Sequence, residues 1–212
     1  MKQNKLKGLS FGLLALILTV SGIFAYFTDS ETATNTFTAG NVKIKLIEEE
    51  WEAQPDDNGN DIPDHAENIL PMQTVIKDPA IKNTGKNDAY VYLEVRIPTS
   101  NIISYESDGA PVNGGVAQET ELFSFTANAG WTQISRTKED GKVVYIYGHN
   151  EKLASNATTD TLFDEVTVVN AKEAQGLENQ SVDIVVNAYA IQTANIGTMQ
   201  DAWVKSGFGV EE

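Results

Sequence analysis

The chain has 212 residues and no cysteine. No disulfide holds the fold, and no thiolate serves as nucleophile or metal ligand. Histidine is nearly as scarce: there are two, His65 and His149, far apart along the chain. Neither belongs to H-E-x-x-H, whose helical spacing sets two imidazoles on one face with a glutamate base between them. His65-Ala66-Glu67 comes nearest and lacks the second histidine. G-x-S-x-G, G-x-G-x-x-G and the phosphate-binding P-loop are also missing. The chain therefore reads as a non-enzyme. Positive charge is short too, with 15 basic residues against 30 acidic ones. Such a surface repels nucleic acid and anionic membranes, and suits a secreted protein or one that meets cations.

Only one long apolar run is present, and it begins the chain. Lys2, Lys5 and Lys7 precede it, no charge occurs from Gly8 to Thr28, and Leu9 to Phe24 is rich in Leu, Ile, Phe and Val. The small residue Ala25 and a polar stretch follow. That order describes an export signal, residues 1–25, cut between Ala25 and Tyr26. An uncleaved anchor is the alternative, because about 20 apolar residues span a bilayer. Gly12, Thr19, Ser21 and Gly22 dilute the run, and no basic stop-transfer cluster follows Phe27. The membrane is then a partner only through the leader, before cleavage.

Behind the leader, residues 26–41 form a donor or linker segment and 42–212 one β-domain, large enough for its own core. Val42, Ile44 and Leu46 alternate with Lys43 and Lys45, as a half-buried strand does, while Phe37 and Ala39 keep the opposite phase, so Gly40-Asn41 marks a bulge or bend. Val75 to Lys82 and Ala89 to Ile97 read as a strand pair around the turn Asn83 to Asp88, with Pro79 confining the first to an edge or bulge. Val91, Leu93, Val95 and Ile97 make one apolar face; Tyr90, Tyr92, Glu94 and Arg96 point the other way. Asp140-Gly141 signals a hairpin, and Leu162 to Val169 reads as a further strand. Val182 to Gln192 is apolar on both faces, which predicts a central strand. Thr198 and Asp201 form a candidate capping box for a short helix ending at Gly207. These signals predict an all-β, antiparallel, jelly-roll-like β-sandwich of about eight to ten strands with a short C-terminal helix.

Residues 48–71 break the β pattern with an acidic excursion containing Pro and Gly. Inside it Asp56, Asn58, Asn60, the carbonyl of Ile62, Asp64 and Glu67 stand at positions 1, 3, 5, 7, 9 and 12 of a calcium loop. Asp61 occupies position 6, where a glycine permits the sharp turn. A weak Ca2+ site and an acidic, solvated turn both fit this stretch, and His65 beside it reads as solvated.

Ala25-Tyr26-Phe27-Thr28-Asp29, the Thr/Ala-rich spacer and Thr36-Phe37-Thr38-Ala39-Gly40 before an alternating strand resemble the TasA/camelysin family of exported proteins. The Tyr189-Ala190-Ile191-Gln192 stretch followed by Ala202-Trp203 is similar to the family's C-terminal signature. The resemblance implies a jelly-roll sandwich, cleavage by a dedicated SipW-type signal peptidase, secretion from a Gram-positive-type bacterium, and subunits that join into extracellular biofilm-matrix fibres. Some camelysins are classed as metallopeptidases. With strand-prone residues and few charges, the segment holding Phe27, Thr34, Thr36, Phe37 and Thr38 is the expected self-assembly element. Lacking a neighbouring hairpin partner, it would add to a sheet edge of the next copy in a head-to-tail homopolymer. The alternative is a monomeric surface module that binds carbohydrate or protein through Trp51, Tyr90, Tyr92, Trp131, Tyr145 or Tyr147.

Cleavage after Ala25 has a direct check. N-terminal sequencing of secreted protein is expected to read YFTDSET; membrane-bound protein that retains Met1 is the outcome that favours the anchor.

Overall fold

The computed structural model describes residues 28–32, 35–37, 42–172, 175–177 and 181–208. The leader, its cleavage point and the bend expected at Gly40-Asn41 lie outside them. The described residues form an antiparallel two-layer β-fold with a short C-terminal helix, as the alternating patterns predict.

The larger layer is built on one long strand, β6 (Ala89–Ile102). On one side it pairs with β12 (Val185–Gln192), and on the other with β10 (Lys142–His149), which pairs with β9 (Trp131–Glu139). β9 and β10 are joined by Asp140-Gly141, with Gly141 at φ +70°. The far end of β6 leaves this sheet and pairs with β7 (Gln118–Glu121). Beyond β12 come β1 (Thr28–Thr32) and β2 (Asn35–Phe37).

The second layer contains β3 (Ile44–Ile47) on β5 (Ala80–Asn83), and β4 (Thr74–Ile76) on β11 (Glu165–Val168), which pairs with β8 (Phe123–Ser124). Pro79 breaks the expected Val75–Lys82 strand into β4 and β5, because proline brings no N–H to a ladder. The expected hairpin between this strand and β6 does not form: β5 pairs with β3, and the turn at Asn83 to Asp88 carries the chain from one layer to the other. Breaks of this kind give twelve strand segments among the described residues rather than eight to ten.

Between the layers Val91, Leu93, Val95 and Ile97 of β6 are fully buried, together with Ile44, Ile81, Leu162 and Phe163. The opposite face of β6 is covered as well. Helix α2 (Met199–Ser206) lies over Tyr90, Tyr92, Val144, Ile146 and Ile191, and inserts Ala202 and Trp203 among them. Thr198 caps the helix by accepting the Asp201 N–H, and Gly207 ends it at φ +73°. The hydroxyl of Tyr92 donates to the Met199 carbonyl at 2.6 Å, and that of Tyr90 to the Gly197 carbonyl at 3.0 Å. Close approach also needs Gly148, where a Cβ would lie 2.3 Å from Met199 Sδ.

Below the helix, Glu94 is buried on this face and accepts hydrogen bonds from Arg96, Asn187 and Tyr189. Burial first, then the Glu94 charge, pushes the Tyr189 phenol up to about 12; Tyr92, Tyr145 and Tyr147 are also raised, chiefly by burial.

A phenol held above its unfolded value keeps its proton in the folded chain while the unfolded chain gives it up near pH ~10. Its contribution is fully present below that pH and is lost as pH rises toward about 12. Denaturant melts at stepped alkaline pH are expected to show falling stability across this window. The slope should be shallower in Tyr189→Phe.

Candidate functional site

The first candidate is the edge of β12. Val186, Ala188 and Ala190 are buried toward the core, while Ile191 is fully buried on the other face beside Tyr189. A strand buried on both faces needs a neighbour on each edge, since an open edge there would leave backbone N–H and C=O groups unpaired. β6 fills one edge. The other is filled by β1, with Thr28 opposite Ile191 and Thr32 opposite Asn187; β2 then folds back so that Phe37 meets Ser30.

Expected to lack a hairpin partner, the N-terminal segment pairs within its own chain, β1 with both β12 and β2. Of the expected assembly residues, Thr36 and Phe37 lie in β2, while Phe27, Thr34 and Thr38 lie outside the described residues, as do Ala25 and Tyr26. The strand that meets β12 lies within the expected 26–41 donor segment, upstream of most of these residues. Asp29 and Glu31 interrupt it and no apolar period marks it; the vacant edge of β12, rather than local propensity, selects it. The opposite end of the sheet is β9, which is defended differently. It carries Arg136 and Lys138 and a bulge, since Ser135 pairs with Ile146 and Gln133 with Tyr147 while Ile134 is skipped.

The second candidate is the acidic excursion. It starts with helix α1 (Glu49–Glu52), whose first N–H groups are taken by the buried Asp78: Glu50 at 2.8 Å and Trp51 at 3.0 Å. Lys77, also buried, pairs with Glu48 at 2.8 Å and lies over the Trp51 ring. Further on, Asp56 accepts the N–H groups of Gly59, Asn60 and Asp61. Asp61 takes the left-handed conformation, φ +65°, in which a glycine was expected; that costs about 1 kcal/mol for a residue with a Cβ, and aspartate tolerates it better than most.

The amide groups of Asn58 and Asn60 turn their nitrogens to Glu67, at 3.0 and 2.6 Å, and their oxygens to the N–H groups of Asn60 and Ile62. Asp64 accepts the Asp57 N–H. The loop therefore closes on itself. A cation among Asp56, Asn58, Asn60, Ile62, Asp64 and Glu67 would need both amides reversed, because only their oxygens ligate. Among the described residues no three His, Asp or Glu side chains gather as a metal group.

His65 is not solvated as expected. Its ring sits edge-on to Trp51 at 5.7 Å, and both nitrogens are buried with no hydrogen-bond partner among the described residues. His149 lies on β10, where Nδ1 donates to the Glu151 carbonyl at 2.8 Å and the ring packs against Trp131. The two imidazoles belong to separate elements. Of the six aromatics that might have formed a binding face, Tyr90, Tyr92, Trp131 and Tyr147 are buried in the core clusters, and only Trp51 and Tyr145 are partly open.

Residues 1–107 match the family profile described as camelysin metallo-endopeptidase. No curated protein and no solved structure matches the chain.

The self-closed loop makes a measurable expectation. Melting curves in calcium and in chelator should superimpose, while Asp56→Ala, which strips three N–H groups of their acceptor, should cost about 1–2 kcal/mol in both buffers. A calcium-dependent rise in melting temperature that Asp56→Ala or Glu67→Ala abolishes is the result that would restore the cation site.

Proposed function

The chain belongs to the camelysin metallo-endopeptidase family, and from that premise we propose that it is a secreted structural protein whose copies join into extracellular matrix fibres by exchanging their N-terminal strands. Family membership supports placement outside the cell. The observation that carries the assembly reading is the β12 edge. It is apolar, central and filled by a terminal segment of the same chain. A terminal hairpin held to β12 through β1 alone can leave that edge and pair with the identical edge of another copy, recovering the same hydrogen bonds. Each subunit then donates one strand and accepts one, and this heterologous contact continues as an open filament. The uncleaved leader would tether the donor to the membrane, so removal of residues 1–25 by a dedicated signal peptidase licenses growth.

Two other readings are less well supported. An aromatic ligand face has little open aromatic surface to work with. Zinc peptidase chemistry calls for about three convergent protein ligands, whereas the two imidazoles are each committed to different packing. Chelator-sensitive hydrolysis of a casein substrate by the purified mature protein is the finding that would favour the peptidase reading.

Two proteins test the proposal, one beginning at Tyr26 and one at Asn41. The first is expected to form filaments as its concentration rises. The second should form none and melt at lower temperature, because its β12 edge is bare. A synthetic peptide spanning residues 26–40 should raise that melting temperature again. Equal filament formation by both proteins, or by neither, would falsify strand exchange.

A further inference from the structure

A second feature lies on the exposed side of the β3–β5 ladder. Lys45 of β3 stands directly opposite Lys82 of β5 in the ladder. Like charges at directly opposed positions repel each other. Lys43 precedes them on β3, and its carbonyl accepts the N–H groups of Thr84 and Gly85 at 2.8 and 2.9 Å, which brings Lys86 to the same corner. All four lysines are exposed. Among the described residues none of them is in an ion pair, although the chain holds twice as many acids as bases.

The carboxylates follow directly along the chain. Two pairs further along the ladder, Ile47 opposite Ala80 leads into α1 and the excursion. From Glu48 to Glu67 there is no lysine or arginine. Glu49, Glu50, Glu52, Asp57 and Asp61 are exposed, and none of them is in an ion pair among the described residues. The Asp78 clamp on Glu50 and Trp51 and the Lys77–Glu48 pair fix where α1 sits. A basic corner and an acidic stretch thus follow one another along the chain, and among the described residues no ion pair joins them.

We propose that this face pairs with the same face of a second copy about a two-fold axis, the Lys43, Lys45, Lys82 and Lys86 corner of each lying against the α1 end of the other. A two-fold contact is self-complementary, so each opposition of charge is made twice. It relieves the Lys45–Lys82 repulsion and gives the exposed carboxylates their counter-charges. It offers complementarity to a protein whose net charge otherwise drives copies apart. The contact goes beyond strand exchange, because it involves neither donor nor acceptor strand. It would join subunits or filaments side by side.

Sedimentation of the mature protein beginning at Tyr26, over a range of salt and concentration, tests the pairing. Its association should weaken roughly tenfold or more as salt rises and the screening length falls from about 10 Å to about 3 Å. The double variants Lys45→Glu/Lys82→Glu and Glu49→Lys/Glu52→Lys should each lose side-by-side association while keeping the parent melting temperature. An equimolar mixture of the two should regain it as a mixed pair. Association indifferent to salt, or a mixture that stays apart, overturns the proposal. So does a lysine variant that loses binding to polyphosphate yet still self-associates, since the patch would then serve a foreign anion. Filament growth in the lysine variant, counted by electron microscopy, reports on strand exchange alone and keeps the two failures apart.

Discussion

Everything in the larger layer follows from the fact that its two central strands have no solvent-facing side at the end where they are most apolar. β6 and β12 are covered between the layers by aliphatic side chains and on the outside by α2. Strands so placed can meet their backbone requirements only through neighbouring strands. β10 and β12 do this for β6. For β12 the chain has to return its own beginning, and so a segment with little intrinsic β signal becomes part of the sheet. The C-terminal helix and the N-terminal hairpin are therefore two answers to one demand, the helix shielding a face and the hairpin closing an edge.

The two ends of that sheet are treated in opposite ways. β9 remains at the margin and is made unattractive to other strands by a skipped residue and by Arg136 and Lys138. β12 carries no such device, and its edge is covered by the hairpin of β1 and β2. The asymmetry is what the proposed strand exchange would need, an acceptor edge on one side and a defended margin on the other.

Much of this architecture was legible in the residues. The period-2 face Val91, Leu93, Val95 and Ile97, the Asp140-Gly141 turn and the Thr198 cap each encode local geometry, and each took its expected form. The run from Val182 to Gln192 forms its central strand only from Val185, with Val182 and Val185 exposed. Pairing was harder to read. Strands adjacent in sequence around Asn83 to Asp88 looked like a hairpin, but which layer each joins is decided by contacts far away along the chain, and Pro79 only signals that the first is irregular. The partner of β1 is decided in the same way, since its place depends on a vacancy left by residues about 160 positions later. At the acidic loop the spacing suggested cation ligands, yet spacing does not reveal which atom of an asparagine faces inward. Sequence could not show that both amides present nitrogen to Glu67.

The way α2 is fastened has a consequence for how this chain can change. Tyr90 and Tyr92 hold the approach to the helix through the carbonyls of Gly197 and Met199, and a carbonyl is supplied by any residue that follows the same path. The connection from Thr193 to Met199 is thus held in part by its course, and its side-chain demands fall on Ile196, Thr198 and Met199. Such a joint lets the exposed Ala194 drift in sequence while the two tyrosines stay fixed beneath it. Variation should accumulate at the open positions of the strap and constancy at its buried ones and on the sheet that grips it.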